Sequence, residues 1–282
     1  MAIDVPMIPM NDGHNIPAIG LGTYSLNGHA GAAAIRQGID TGYRLLDSAF
    51  NYENEGAVGK AVRDSAVPRD QLHICSKLPG RRHAYEQALV TIEESLLRTG
   101  LDYFDLYIIH WPNPKTEKYV EAWQALIEAR TRGYVRSIGV SNFLPEHLER
   151  IIRETDVVPC LNQIELHPYF EQAAQRQFHE QHRIITESWS PLGRGRGDGV
   201  LEDEGVRAIA ETYGKTPTQI ILRWHTQLGA VPIPKAGSPE HQQENLNIFD
   251  FELTAEQMNT ISAFSKDNKR LWDQDPAEYE EF

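Results

Sequence analysis

Asp47, Tyr52, Lys77 and His110 are the residues whose types and spacing suggest chemistry first. Asp47 ends the apolar run Tyr43-Arg44-Leu45-Leu46, which reads as a buried strand, and Tyr52 follows five residues later at the mouth of the helix-like stretch EGAVGKAVRD. Alone, Asp47 would be read as a helix cap. Lys77 ends another strand-like run, LHICSK, and a lysine buried there needs an anion to keep its charge, which Asp47 on the neighbouring strand can supply. An ammonium beside Tyr52 would lower the pKa of the phenol and make it a usable proton donor. His110 closes FDLYIIH; alone it would be a core histidine, but in this company it can donate a hydrogen bond to a substrate oxygen and orient it. Together the four would polarise a carbonyl and protonate the developing alkoxide. They lack a source of electrons.

No metal-ligand pattern supplies one. His179 and His182 are three apart with Arg183 where a zinc-protease helix needs its second histidine, so an exposed polar helix face is the expectation there. Cys75 and Cys160 are too widely separated for an iron–sulfur site and read as buried free thiols. An organic hydride donor remains. Ser141, Asn142 and Gln163 offer hydroxyl and amide groups for a carboxamide, and Trp189 offers a face for a flat heteroaromatic ring, which together describe a nicotinamide site.

These residues fall at the ends of eight strand-like runs: 19–23, 43–47, 72–77, 104–110, 135–140, 160–165, 184–189 and 230–235. Helical spacing is clear in 83–99, through Tyr85, Leu89, Ile92 and Leu96, and in 118–132, through Tyr119, Trp123, Leu126 and Ile127. Most strand-to-strand steps match one βα unit, so the expected fold is α/β: a (β/α)8 barrel over residues 1–282 as one domain. Residues 8–10 and 15–17, around the Asp12-Gly13 turn, add an N-terminal hairpin, and a C-terminal loop lies over the active-site rim. A doubly wound sheet is the rival, but Gly20-Leu21-Gly22 has Ser25 where a dinucleotide fingerprint needs its third glycine. Gly214-Lys215-Thr216 lacks the first glycine of a phosphate-binding loop and reads as a turn between helices.

Composition narrows the partners. The 282 residues carry a formal charge of −13 with no sustained Lys/Arg run, which argues against a nucleic-acid partner. No 18-residue apolar stretch exists, and the start MAIDVPMIPM lacks a basic and apolar leader, so a cytoplasmic protein with no membrane partner is expected, acting as a monomer on a small molecule.

The sequence resembles the aldo-keto reductases over nearly its whole length, through GYRLLDSAFNYENEGAVG (42–59), LDYFDLYIIHWP (101–112), GYVRSIGVSNF (133–143), LNQIELHPY (161–169), ESWSPLG (187–193), GKTPTQIILRW (214–224) and the IPK of 233–235. Within the family it is similar to the short bacterial members that reduce diketogluconate. The resemblance implies a catalytic tetrad of Asp47, Tyr52, Lys77 and His110, with Tyr52 as general acid. It implies NADPH held by Thr23, Ser141, Asn142, Gln163, Trp189, Ser190, Leu192, Lys235, His241, Glu244 and Asn245, with Arg194 or Arg196 near the pyrophosphate. Ala236 and His241 depart from the family pattern of a hydroxyl and an arginine on the 2′-phosphate, so NADH is a possible alternative cofactor. Tyr24, Phe50, Trp111 and Trp272 are the expected pocket walls, with one wall left low by the short loop after Trp111 and the acidic tail DQDPAEYEEF as a mobile flap or solvated end. The activity implied is reduction of small aldehydes, α-dicarbonyls or keto-sugars. The alternatives are a nucleotide-binding regulatory subunit without turnover and, less well matched, a metal-dependent barrel hydrolase.

Overall fold

The computed structural model describes residues 5–193, 199–265 and 270–282. Arg194 and Arg196 lie outside the described residues. The chain opens with an antiparallel hairpin, β1 (Met7–Pro9) and β2 (Asn15–Pro17), joined through the Asp12-Gly13 turn. Eight strands follow: β3 (Leu21–Gly22), β4 (Leu45–Asp47), β5 (His73–Leu78), β6 (Phe104–Ile109), β7 (Val135–Ser141), β8 (Leu161–Glu165), β9 (Ile185–Trp189) and β10 (Ala230–Pro232). Each pairs in parallel with the next in sequence. The seam closes where the Gly20 N–H donates to Pro232 O and the Gly22 N–H to Pro234 O, each at 3.1 Å, with a parallel bridge from Gly22 to Lys235. The result is a (β/α)8 barrel.

That seam explains the two glycines that resemble part of a dinucleotide fingerprint. A Cβ on Gly20 would meet Ile233 Cδ1 at 2.6 Å, and one on Gly22 would meet Ile233 O at 3.1 Å, so the first and last strands approach only because neither residue has a side chain.

Helices separate the strands: α1 (Gly28–Thr41), α2 (Glu55–Asp64), α3 (Tyr85–Thr99), α4 (Tyr119–Thr131), α5 (Pro145–Thr155), α6 (Ala173–Gln181), α7 (Glu204–Tyr213), α8 (Pro217–Gln227), α9 (Pro239–Leu246) and α10 (Ala255–Ser262). The apolar stripes expected in α3 and α4 are the buried faces: Leu89, Ile92, Trp123 and Leu126 pack into the layer between helices and sheet. Burial of one such leucine stabilises the fold by roughly 1.5–3 kcal/mol. Gly214, at φ 62, ends α7, and Thr216 begins α8 with a capping box to Gln219 and Pro217 at the first helical position. The phosphate-loop look-alike is therefore a helix-to-helix turn.

The barrel interior holds Leu45, Cys75, Leu106, Ile108, Cys160, Leu161, Val231 and Ile233, with both cysteines free and buried. Ile16 and Met10 join this cluster from the hairpin, and Asn11 Nδ2 donates to Pro159 O ahead of β8. The hairpin thus plugs the end where the strands start. The opposite end is left for the functional side chains. Two segments differ from expectation. His179 on α6 is 1% exposed, not on a polar face; its ring contacts Thr186, Asn162 and Gln175, and burial pushes its pKa down to about 3. The acidic tail docks onto the barrel.

Candidate active site

The C-terminal ends of the strands surround a cavity of about 880 Å³. Its floor is the expected tetrad. β4 and β5 pair with Asp47 opposite Cys75, which places Lys77 one pleat further along and on the same interior face as Cys75. The Lys77 ammonium, 0% exposed, donates to Asp47 Oδ1 (2.6 Å), Asp47 Oδ2 (2.7 Å) and Ser48 O (2.7 Å). Burial pulls the Lys77 pKa down, but Asp47 and then Tyr52 more than offset this, and the net shift is upward. The lysine stays charged inside the barrel.

Tyr52 sits in the 3-10 turn Phe50–Tyr52, with Lys77 Nζ 5.1 Å from the centre of its ring. The His110 ring lies 5.9 Å from it, edge to face, and Tyr24 packs against its other side at 5.1 Å. The phenol corrects one expectation. Burial raises the Tyr52 pKa to about 12, and the neighbouring Lys77 charge recovers only part of that shift. Net, the group is held protonated at neutral pH, and the role left to Lys77 is to limit the cost of a phenolate once the proton departs.

The neighbouring wall comes from β7, β8 and β9. Ser141 Oγ donates to Gln163 O at 2.8 Å, Asn142 Nδ2 donates to His110 O at 3.0 Å, and Trp189 Nε1 donates to Asn142 Oδ1 at 2.8 Å. Asn142 and Ser190 both adopt left-handed backbone, at φ 62 and 50, where side chains are seldom placed without purpose. Gln163 Nε2 donates both to Asp47 Oδ2 (2.9 Å) and to Glu187 Oε2 (2.5 Å). Sequence reasoning missed Glu187: it reads as one polar residue within a strand, and only the barrel reveals it beside Asp47. Burial first, then the Asp47 charge, raise its pKa to about 8.

Ser190, Leu192 and Lys235 also line the cavity, as do Tyr24, Trp111 and Trp272. Phe50 does not; it is 8% exposed under the Arg98 guanidinium, 3.8 Å from the ring centre. Thr23 lies beneath the floor, fully buried, with its hydroxyl donating to Asp47 O. His241, Glu244 and Asn245 sit on α9, outside the cavity lining. His241 is exposed, Glu244 accepts from Thr216 Oγ1, and Asn245 is buried. Ala236 is buried just before Ser238, whose hydroxyl caps α9 by accepting from the His241 N–H. The donor set fits a nicotinamide dinucleotide: neutral amides and an indole at the strand ends, and the exposed cation Lys235 ahead of a capped helix start.

The low wall expected beside Trp111 is filled by the C-terminus. Tyr279 packs on Trp111 with ring centres 4.5 Å apart, and Glu281 Oε1 stands 2.7 Å from His110 Nδ1. Asn51 Nδ2 donates to Glu281 Oε1 and the Gly80 N–H to Oε2, while Asn113 exchanges two hydrogen bonds with the Glu281 backbone. The tail's strongly acidic composition concealed this, because the one carboxylate that turns inward is surrounded in sequence by others that face solvent.

Comparison with known proteins places this constellation. The family model described as the aldo/keto reductase family matches residues 18–266. The chain belongs to that family and is an NAD(P)H-dependent oxidoreductase. Among its relatives, 2,5-diketo-D-gluconic acid reductase B of Corynebacterium sp. (strain SHS752001) is 52% identical over 278 residues, 99% of each chain. Methylglyoxal reductase DkgA of Yersinia pestis is 44% identical over 91% of this chain and 92% of its own. The crystal structure of a Gox0644 mutant in complex with NADPH superposes with a TM-score of 0.91 at 43% identity, covering 97% of this chain and 98% of that one. Among the described residues, no cluster of three or more His, Cys, Asp or Glu side chains could hold a metal ion, and no helix is long and apolar enough to cross a membrane.

Proposed function

We propose that this protein reduces small aldehydes, α-dicarbonyls or keto-sugars with NADPH, using Tyr52 as the general acid. The observation that carries the reading is the floor of the cavity: a fully buried Lys77–Asp47 pair beneath a tyrosine held protonated, with His110 beside it. The reduced nicotinamide, when bound, supplies the hydride. Ser141, Asn142 and Gln163 would hold its carboxamide and Trp189 would stack on its ring; Ser190, Leu192 and Lys235 would hold the phosphates, and His241, Glu244 and Asn245 the adenosine end. Lys235 and the start of α9 accept the 2′-phosphate, and with Ala236 and His241 in place of a hydroxyl and an arginine, NADH is a usable second cofactor.

Within the pocket His110 donates a hydrogen bond to the carbonyl oxygen and fixes its direction. The Tyr52 O–H gives up its proton to that oxygen as charge develops on it. The resulting phenolate is stabilised by the Lys77 ammonium, whose own position is set by Asp47 and Ser48. Tyr24, Trp111 and Trp272 shape the apolar sides of the cavity. The chain acts as one domain over residues 1–282, as a cytoplasmic monomer, on small molecules and not on nucleic acid. A relative named for methylglyoxal, an uncharged α-dicarbonyl, supports the substrate class.

The test is carbonyl-dependent oxidation of NADPH and NADH, followed by absorbance, across methylglyoxal, 4-nitrobenzaldehyde, a keto-sugar and a plain ketone, with Tyr52→Phe alongside. Turnover that vanishes in the variant supports the assignment. Cofactor binding with no turnover on any substrate would point instead to a regulatory nucleotide-binding role.

A further inference from the structure

We propose that Glu281 is a positioning and specificity-determining residue of this site: its carboxylate fixes the His110 ring and sets a negative charge at the substrate end of the cavity, so that uncharged carbonyl compounds are taken in preference to those bearing a carboxylate. The inference rests on the carbonyl-reductase reading above and deepens it.

Glu281 is 9% exposed although it is the penultimate residue of the chain. Its two oxygens are committed to protein partners, Oε1 to Asn51 Nδ2 at 2.8 Å and to His110 Nδ1 at 2.7 Å, and Oε2 to the Gly80 N–H at 2.9 Å. The charges and titratable groups around it are His110 at the end of β6, Tyr52, His83 ahead of α3, and Arg81, which donates to Phe282 O. Burial pushes its carboxyl up, but the His110 ring and the N–H donors more than offset this, and the net shift is downward; the group is an anion at neutral pH. A carboxylate 2.7 Å from Nδ1 hinders the ring from turning about its bond to the chain and so fixes the direction in which the other nitrogen meets the substrate.

The charge balance of the cavity gives the selectivity. Among the described residues that line it, Lys235 is the one lysine or arginine, and it stands at the β3–β10 seam. Glu281 stands across the barrel, against the ends of β5 and β6 and beside Trp111. The polar groups near it, Asn51 and Gln274, are neutral. A substrate carboxylate placed on that side would meet a fixed anion in a partly desolvated site, where the nearby cation, Arg81, lies outside the cavity lining with its guanidinium turned to Asn51 Oδ1 and Phe282 O. Hydroxyl-bearing or plain carbonyl compounds would find acceptors and donors.

The experiment compares 4-formylbenzamide with 4-carboxybenzaldehyde, which differ chiefly in charge, as kcat and KM with NADPH. Wild-type protein is expected to favour the amide by about tenfold or more in kcat/KM. Glu281→Gln should lower kcat on the amide several-fold and bring the two substrates within about twofold of one another, while Glu281→Asp, which keeps the charge, retains the wild-type preference. Asn113→Ala loosens the same tail through its backbone without touching the charge, and should slow both substrates together. A wild-type protein that favours the acid, or a preference that Glu281→Gln leaves in place or Asn113→Ala erases equally, overturns the inference while leaving the reductase intact. A wild-type protein that binds NADPH but turns over neither compound overturns the reductase reading and this one with it.

Discussion

The two ends of the cavity are built on opposite plans. At the floor, Asp47, Lys77, Gln163 and Glu187 come from four different strands, are each 3% exposed or less, and bond to one another. At the α9 rim, Lys235 and His241 are exposed, and neither is bound into a comparable buried network. Side chains that share buried hydrogen bonds cannot be exchanged singly, because each substitution strands a partner in a medium where unpaired charge is costly. Exposed side chains on a helix start can be exchanged one at a time. The floor is thus built of coupled groups, and the rim of independent ones.

The largest effect expected at the floor is on catalysis. Tyr52→Phe removes one oxygen from the cavity side of the cluster and leaves the Lys77–Asp47 pair in place, so turnover should fall by about 10³–10⁴-fold. Its NADPH dissociation constant, read by fluorescence titration, should stay within about twofold. Equal loss of both would make the phenol a cofactor ligand and break the distinction between floor and rim.

Stability is the second measure of coupling. Lys77→Met leaves the Asp47 carboxylate buried beside Glu187 without a counter-ion, at a cost of about 3–5 kcal/mol. The double variant Asp47→Asn/Lys77→Met removes both charges and should unfold at a higher temperature than Lys77→Met alone. If calorimetry finds the two losses simply additive, the pair is not coupled and the contrast fails at its centre.

How much of this the sequence carried follows the same division. Groups at strand ends were legible because a polar residue closing an apolar run is conspicuous, and eight such runs at βα spacing fix which rim they share; Asp47, Lys77, His110 and Asn142 were found this way. Glu187 was not, since alternation along β9 gives no sign of which face meets Asp47 until the barrel closes. Phe50, expected in the pocket wall by its position, is instead turned under Arg98 by the 3-10 turn. Glu281 was lost in a composition that describes a solvated tail, and what docks it, the Gly80 N–H and Asn113, lies far away in the chain. Pattern reports what a strand or helix does along itself. Contacts between distant loops leave no period to read.

The pH dependence of stability isolates the least visible member of the floor. An unfolded Glu187 ionises near its ordinary value of 4.5, whereas in the folded protein it holds its proton up to about 8. Between those values folding requires proton uptake, so this group's contribution to stability falls as pH rises through that window and its cost is complete above it. Glu187→Gln carries no such charge at any pH. It should be near neutral at pH 4.5 and stabilising above pH 8, by roughly 1–3 kcal/mol and hence several degrees in Tm. A variant whose Tm difference from wild type is flat between pH 5 and pH 8.5 would show that Glu187 ionises freely and that Gln163 faces two carboxylates.

At the rim the expected change is smaller and confined to one ligand. His241 presents an imidazole ring, where a guanidinium would offer a permanent charge and two aligned donors to a phosphate. His241→Arg should therefore tighten NADPH by about tenfold, near 1.4 kcal/mol, while leaving NADH unmoved. Because His241 shares no buried hydrogen bond with the floor, kcat on a common substrate should not change with it. The ratio of Michaelis constants for the two cofactors reads the first effect and kcat the second. A wild-type ratio already strongly in favour of NADPH and indifferent to the arginine would mean that Lys235 and the capped start of α9 hold the 2′-phosphate unaided. A fall in kcat would mean that the two ends of the cavity are not independent after all.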